Sequence, residues 1–219
     1  MKKVSCVFIV DRITGMATRQ INDENRWVFD GQGVATIKYD GEACMVLNGA
    51  LYRRWNRTLQ KQFVKLWKRD PKSFVWDESM FKPIPEGSIA CENTPAKITL
   101  HWPYWIPVLS GNENAFFNEA FCKKSNWEDG TYELVGPKVL HNMYNLSSHE
   151  LRKHGDCVVD INDYSFDNLK KVLECLDSEG LVWHHPDGRM AKLRRDHFNF
   201  KWGEDDPRND KEARARFNP

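Results

Sequence analysis

A lysine set inside an apolar run is the first residue whose surroundings point to chemistry. In "VATIKYDGEACMV", Val34 to Val46, the residues Val34, Thr36 and Tyr39 flank a β-branched run that contains Lys38. Asp40 and Gly41 then turn the chain. Two readings fit. The lysine snorkels from an edge strand with its ammonium in water, or it is a nucleophile held away from bulk solvent. A second group of charges lies far along the chain. "EGLVWHHPDGRMAKLR" opens a strand at Glu179-Gly180, turns at Asp187-Gly188 and returns with Lys192 and Arg194. Alternation puts those two cations on one face. The hairpin therefore offers a carboxylate on one strand and two cations on the other. "GTYELVG" sets another carboxylate, Glu133, between Tyr132 and Leu134 in a further strand.

The elements that must position these residues are mostly short strands. "VSCVFIV", "GVATIKY", "ACMVL", "ALYRRW", "GSIAC", "YWIPVL", "TYELVG" and "GLVWHH" all read as strands bounded by turn residues. Gln60 to Arg69 reads as a helix, with Phe63, Leu66 and Trp67 at helical spacing and lysines on the other face. Ser147 and Glu150 form a capping-box pattern that predicts a helix over "SHELRKH". After Ser165, the residues Phe166, Leu169, Val172, Leu173 and Leu176 make one apolar stripe of a longer helix. The proline-rich stretch from about 77 to 107 also carries Ile84, Ile89, Ile98, Trp102, Trp105 and Ile106. Those side chains want a core, so the stretch reads as a long packed crossover. The expectation is one α+β domain over 1–202, mostly antiparallel sheets flanked by helices, and a charged tail over 203–219.

Bulk composition narrows the class. The 219 residues are 41% hydrophobic and 29% charged, which suits a globular chain able to bury a sizeable core. The formal net charge is only +1, so contact with nucleic acid must come from a local basic patch. The apolar N-terminal run breaks at Asp11-Arg12 and reads as a strand, not a leader. Nowhere do about 18 apolar residues run together, so no membrane partner is expected. The six cysteines form no C-x-x-C and no Cys/His cluster, which argues against zinc. Several sit in apolar runs as buried thiols, and a reducing intracellular setting, cytoplasmic or nuclear, follows.

Lys38-Tyr39-Asp40-Gly41, the Glu179-Gly180 strand and the Lys192 strand after it resemble the first, fourth and fifth motifs of the covalent nucleotidyltransferase superfamily, the ATP-dependent ligases and capping enzymes. "YELVGPKV" looks like the third motif of RNA ligases. The set "YWIPV", "ELVG", "KHG" and "EGLVWHH-DG-MAKLRRDHFNFKW" is similar to the small 5′–3′ RNA ligase 1 family found in vertebrates. The likeness runs from about residue 30 to Trp202. It implies a nucleotidyltransferase (adenylation) domain, and no oligonucleotide-binding barrel of the kind DNA ligases and capping enzymes carry is expected after Lys192.

The resemblance also implies roles. Lys38 would attack the α-phosphate of ATP and form lysyl-AMP. A free lysine has a pKa near 10.4 and is almost wholly protonated at neutral pH. Neighbouring cations, Lys192 and Arg194 with a metal, are expected to lower that pKa. Glu179 would hold Mg²⁺, with Mn²⁺ as the alternative, directly or through water. Lys192 and Arg194 would neutralise charge developing on the α-phosphate. Glu133 would contact the ribose, and Asp40 would order the motif loop and contact the sugar or metal network. The family arginine after the nucleophile strand falls on Arg54, with Arg57 next, while Arg53 should point away from Arg54. An ordinary basic edge strand is the other reading of these arginines.

Two departures stand out. Related RNA ligases stack an aromatic residue on adenine after "ELVG", yet "KHGDCVVDI" has no Phe, Tyr or Trp. His154 is the stacking candidate there, and a structural histidine is the alternative. Ile37 stands where related ligases often place a base-reading glutamate. The implied activity joins an RNA 5′-phosphate to a 3′-hydroxyl, with no obligate protein partner. A guanylyltransferase, a DNA ligase on the same scaffold and a catalytically silent RNA-binding relative are the alternatives. For RNA, the basic segment Arg53, Arg57, Lys61, Lys65, Lys68 and Arg69 is the candidate surface, with a merely solvated helix face as the other reading.

Overall fold

A computed structural model describes residues 4–201. The tail expected over 203–219 lies outside the described residues. The strands, in chain order, are β1 (Ser5–Cys6), β2 (Phe8–Val10), β3 (Ala17–Ile21), β4 (Val34–Lys38), β5 (Glu42–Leu47) and β6 (Ala50–Arg57). There follow β7 (Ile89–Ala90), β8 (Trp102–Pro107), β9 (Gly130–Val135), β10 (Glu150–Lys153), β11 (Gly180–His184) and β12 (Met190–Arg194). The helices are α1 (Arg26–Phe29), α2 (Lys61–Arg69), α3 (Ala115–Phe121) and α4 (Phe166–Cys175). The class is α+β, and every strand pair named below except β1–β12 is antiparallel. The described residues divide into two compact units: 4–42 with 131–201, and Ala43–Gly130.

The first unit holds a sheet in the order β1-β12-β11-β4, the β2–β3 hairpin and the β9–β10 pair. Alternation divides the large sheet cleanly. Ala35, Leu181, Trp183, Ala191 and Leu193 are buried on one face, in a cluster with Val28 and with Leu169 and Leu173 of α4. The stripe expected on α4 is present, and Ser165 caps it by accepting from the Asn168 N–H at 3.3 Å. Full burial of a leucine is worth about 1.5–3 kcal/mol, so Leu169 and Leu173 hold α4 against the sheet. The opposite face is left for Thr36, Lys38, Lys192 and Arg194.

Two local expectations fail in this unit. "VSCVFIV" is not one strand: β1 pairs with β12, β2 pairs with β3, and Val7 between them is fully buried. "SHELRKH" is strand β10, not a helix, because Leu151 pairs with Leu134 and Arg152 with Glu133. Those cross-strand pairs outweigh a capping pattern that is purely local.

In the other unit β5, β6, β8 and β7 lie side by side in that order. Leu59, Phe81, Leu100, Trp102, Tyr104 and Ile106 form its core, against which Phe63, Val64 and Trp67 of α2 pack. The proline-rich stretch does supply core residues, and Trp102 and Trp105 are both buried. Ile89 and Ile98 depart from that expectation, 37% and 86% exposed. No disulfide forms among the described residues, but only Cys44 is buried, while Cys122, Cys157 and Cys175 are exposed. Among the described residues no helix is long and apolar enough to cross a membrane.

Candidate active site

Sheet register brings the charged residues together. Gly180 on β11 pairs with Lys38 on β4 and with Arg194 on β12, so the three stand in one row across the sheet. The next row on the same face is Thr36, Val182, Lys192 and Cys6. Gly180 is required in its row: a Cβ there would strike the carbonyl oxygen of Leu193. Glu179, one residue before β11, pairs directly with the Lys38 ammonium through Oε2. Its Oε1 lies 3.5 Å from Arg194 Nη1, and Arg194 Nη2 donates to Asp196 at 2.6 Å. The outer edge of β4 is covered as well, since Ile37 N–H donates to Cys157 O and Val159 N–H to Ala35 O, both at 2.9 Å. Lys38 is therefore not a lysine reaching from an open edge into water; its side chain keeps 24% of its surface.

The turn after Lys38 is fixed by the β9–β10 pair and the loop between. Gly41 N–H donates to Glu133 Oε1 at 3.0 Å, and a Cβ at Gly41 would collide with the Leu134 carbonyl. The other Glu133 oxygen accepts from His154 Nε2 at 2.9 Å, and His154 Nδ1 lies 3.0 Å from the Thr131 hydroxyl. A carboxylate only accepts, so Nε2 carries a proton. Asp40 N–H donates to the hydroxyl of Tyr144 at 2.7 Å. Arg152 lies over the rings of Tyr144 and Tyr39, at 4.7 and 5.4 Å from their centroids. Sequence reasoning missed Tyr144 and Arg152. Nothing in the spacing of "NMYNLSS" reveals a partner 104 residues away.

The electrostatics correct one expectation. Burial alone would lower the Lys38 pKa, and it is the largest single influence. The carboxylates of Glu179, Glu133 and Asp40 together outweigh it, and the pKa is raised above that of an ordinary lysine. Lys192 and Arg194 alone do not produce the predicted lowering, and Glu179 stands between the lysine and Arg194. Burial would raise the Glu179 pKa, but Lys38 first, then Arg194 and Lys192, pull it below the usual carboxylate value. Burial likewise pushes His197 down to about 4. His197 Nδ1 accepts from Arg194 N–H at 3.4 Å and lies 3.5 Å from Cys6 Sγ, so the ring sits neutral behind the Lys192–Arg194 strand.

Arg54 and Arg57 belong to the other unit, on β6. Three residues apart in a continuous strand, they point to opposite faces and cannot both serve one ligand. Arg53 and Arg54 diverge as expected, pairing with Ile106 and Trp105. Arg57 is buried: it donates to Lys82 O at 2.7 Å and Glu78 at 2.8 Å, and lies against Phe81, Trp102 and Tyr104. That is a structural occupation. No group of three or more His, Cys, Asp or Glu side chains is gathered for a metal among the described residues.

A family model described as RNA ligase 1 matches residues 108–214, the half of the chain that carries Glu133, His154, Glu179, Lys192 and Arg194. The mouse protein RNA ligase 1 (Mus musculus) is 26% identical over 265 aligned positions, covering 92% of this chain and 81% of that protein. The chain resembles RNA ligase 1. The zebrafish RNA ligase 1 (Danio rerio) is 28% identical over 222 positions, covering 77% of this chain and 68% of its own length. The orangutan RNA ligase 1 (Pongo abelii) is 28% identical over 221 positions with the same coverage. A match over 92% of the chain leaves too few residues outside it to omit Lys38, so the alignment with mouse RNA ligase 1 spans the paired lysine.

Proposed function

We propose that this protein is an ATP-dependent RNA ligase that joins a 5′-phosphate to a 3′-hydroxyl through a lysyl-AMP on Lys38. The observation that carries the reading is one row of one sheet: Lys38, Gly180 and Arg194 abreast, with Glu179 bridging the lysine and the arginine. Likeness to RNA ligase 1 over most of the chain supports it.

In the first step Lys38 Nζ attacks the α-phosphorus of ATP. A P–N bond forms, the α–β P–O bond breaks, and pyrophosphate leaves with the electron pair. Lys38 must first lose its proton. Any positive charge that engages Glu179 weakens the ammonium–carboxylate pair and lets burial favour the neutral amine. Lys192 and Arg194, on the same face, stabilise charge gathering on the α-phosphate oxygens. Glu133 holds the Asp40-Gly41 turn through Gly41 and keeps lone pairs for a ribose hydroxyl. His154, fixed edge-on by two hydrogen bonds, offers a ring face to a base, and Arg54 is the remaining arginine candidate.

Glu179 offers hard carboxylate oxygens, which fits Mg²⁺ or Mn²⁺ held largely by water and phosphate oxygens. Such an ion would add positive charge beside the α-phosphate. In the second step an RNA 5′-phosphate oxygen takes the AMP from Lys38, freeing the amine. In the third, a 3′-hydroxyl attacks the adenylated phosphate, and AMP departs.

The test is incubation with ATP or GTP labelled at the α-phosphate, followed by a denaturing gel. Wild type is expected to retain label from ATP, while Lys38→Ala and Lys38→Arg retain none. The arginine variant preserves the ion pair to Glu179 and controls for folding. Added 5′-phosphorylated RNA should then discharge the label into a sealed product. Label from GTP instead would point to a capping-type guanylyltransferase, and preference for nicked DNA to a DNA ligase. No label from folded wild type free of bound AMP would leave a silent RNA-binding relative.

A further inference from the structure

Helix α2 lies in the unit that does not carry Lys38, and its two faces differ sharply. Phe63, Val64 and Trp67 pack on the aromatic core. Lys61, Lys65, Lys68 and Arg69 fall within one arc on the other side, and all four are exposed. Lys72, just past the helix, is exposed too. None of the five makes a salt bridge among the described residues, whereas Arg19, Arg26, Arg57, Arg152, Arg189 and Arg194 all do. The helix contains no acidic residue. Asp70 follows it at once, but accepts from Ser73 N–H at 3.2 Å and closes the turn.

Cations repel one another, and a chain of net charge +1 has carboxylates enough to intersperse among them. Lys68 and Arg69 complement the C-terminal end of the helix dipole, but Lys61 and Lys65 have no such role and the row as a whole is self-repelling, which points to an outside polyanion. From Lys61 to Arg69 is about 12 Å along the helix axis. A nucleic-acid strand carries one phosphate charge per nucleotide, so a stripe of this length can meet more than one of them. We propose that the α2 stripe binds the sugar–phosphate backbone of RNA, independently of sequence, as a docking surface for the body of the substrate. The proposal rests on the RNA ligase reading for its choice of RNA as the polyanion.

The experiment compares wild type with Lys61→Gln/Lys65→Gln/Lys68→Gln, using the anisotropy of a labelled single-stranded RNA of about 20 nucleotides across a salt series. Each phosphate contact contributes about 0.7 to the slope of log affinity against log salt for single strands. The variant should lose about 2 units of slope and bind roughly tenfold more weakly at low salt, equally for two unrelated sequences. Self-adenylation by ATP should be unchanged, since none of the three residues belongs to the Lys38 site. Unchanged slope and affinity would overturn the docking surface, even with self-adenylation intact. So would loss of binding to phosphatidylserine vesicles or an acidic protein while RNA binding persists. If wild type takes no label from ATP but the variant still loses slope, the ligase reading fails and the stripe stands.

Discussion

At the scale of single residues, the resting state of Lys38 is what matters. A lysine whose pKa is raised by Glu179, Glu133 and Asp40 is an ammonium at every physiological pH. The proposed self-adenylation needs the neutral amine, so its rate should climb with pH through the alkaline range. In Glu179→Gln the direct partner is gone and burial gains the upper hand. The rising limb should then move to lower pH, while the maximal rate falls about 100-fold because Glu179 no longer positions the lysine beside Arg194. Rapid-quench labelling across a pH series measures both. A limb that stays in place would show that Glu179 does not set the lysine's protonation. That Lys38, Glu179 and Arg194 share one site was implied by the motif resemblance; alternation by itself placed only Lys192 and Arg194 on one face. Tyr144 and Arg152 were not legible in the sequence, since a loop tyrosine meets Asp40 only after the chain has folded back.

Among the elements, the β11–β12 hairpin does most of the positioning, and Gly180 is its tightest point. Gly180→Ala would drive a methyl group into the Leu193 carbonyl and pry open the row shared with Lys38 and Arg194. The expected cost is roughly 1–3 kcal/mol of stability, with self-adenylation lost beyond what reduced folding explains. Urea melts beside the labelling assay separate the two. Full activity in a folded variant would mean that the row is not needed in register. The strands around the site were readable from their β-branched runs, and α4 from its apolar stripe. Strand β10 was misread because a capping pattern spans four residues, whereas its true partner, β9, is set by pairs such as Leu151–Leu134. Helix α3 was missed altogether, as was β3, whose "ATRQI" shows little apolar alternation.

For the whole molecule, acid should be the weak side. His197 is held neutral with its pKa down to about 4, below the ordinary 6.5. The folded state therefore binds fewer protons than the unfolded one. Stability from this site is complete above pH 6.5 and is lost as pH falls toward 4. The full interval corresponds to about 3 kcal/mol. His197→Asn keeps an acceptor for the Arg194 N–H but cannot titrate, so urea midpoints from pH 7 to 4 should fall less steeply in the variant. Equal slopes would remove His197 from the account. Glu179, with its pKa lowered, adds to the same trend below 4.5. Composition and strand patterning were enough for the α+β class, but they gave no sign that the chain divides after Glu42 and again after Gly130. One consequence concerns how a partner is met. A molecule with almost no net charge and a row of cations on one helix is electrically a dipole more than a monopole. It exerts little pull at long range, but a torque at short range. A nucleic-acid strand that drifts close would be turned to lie along α2 before it is held.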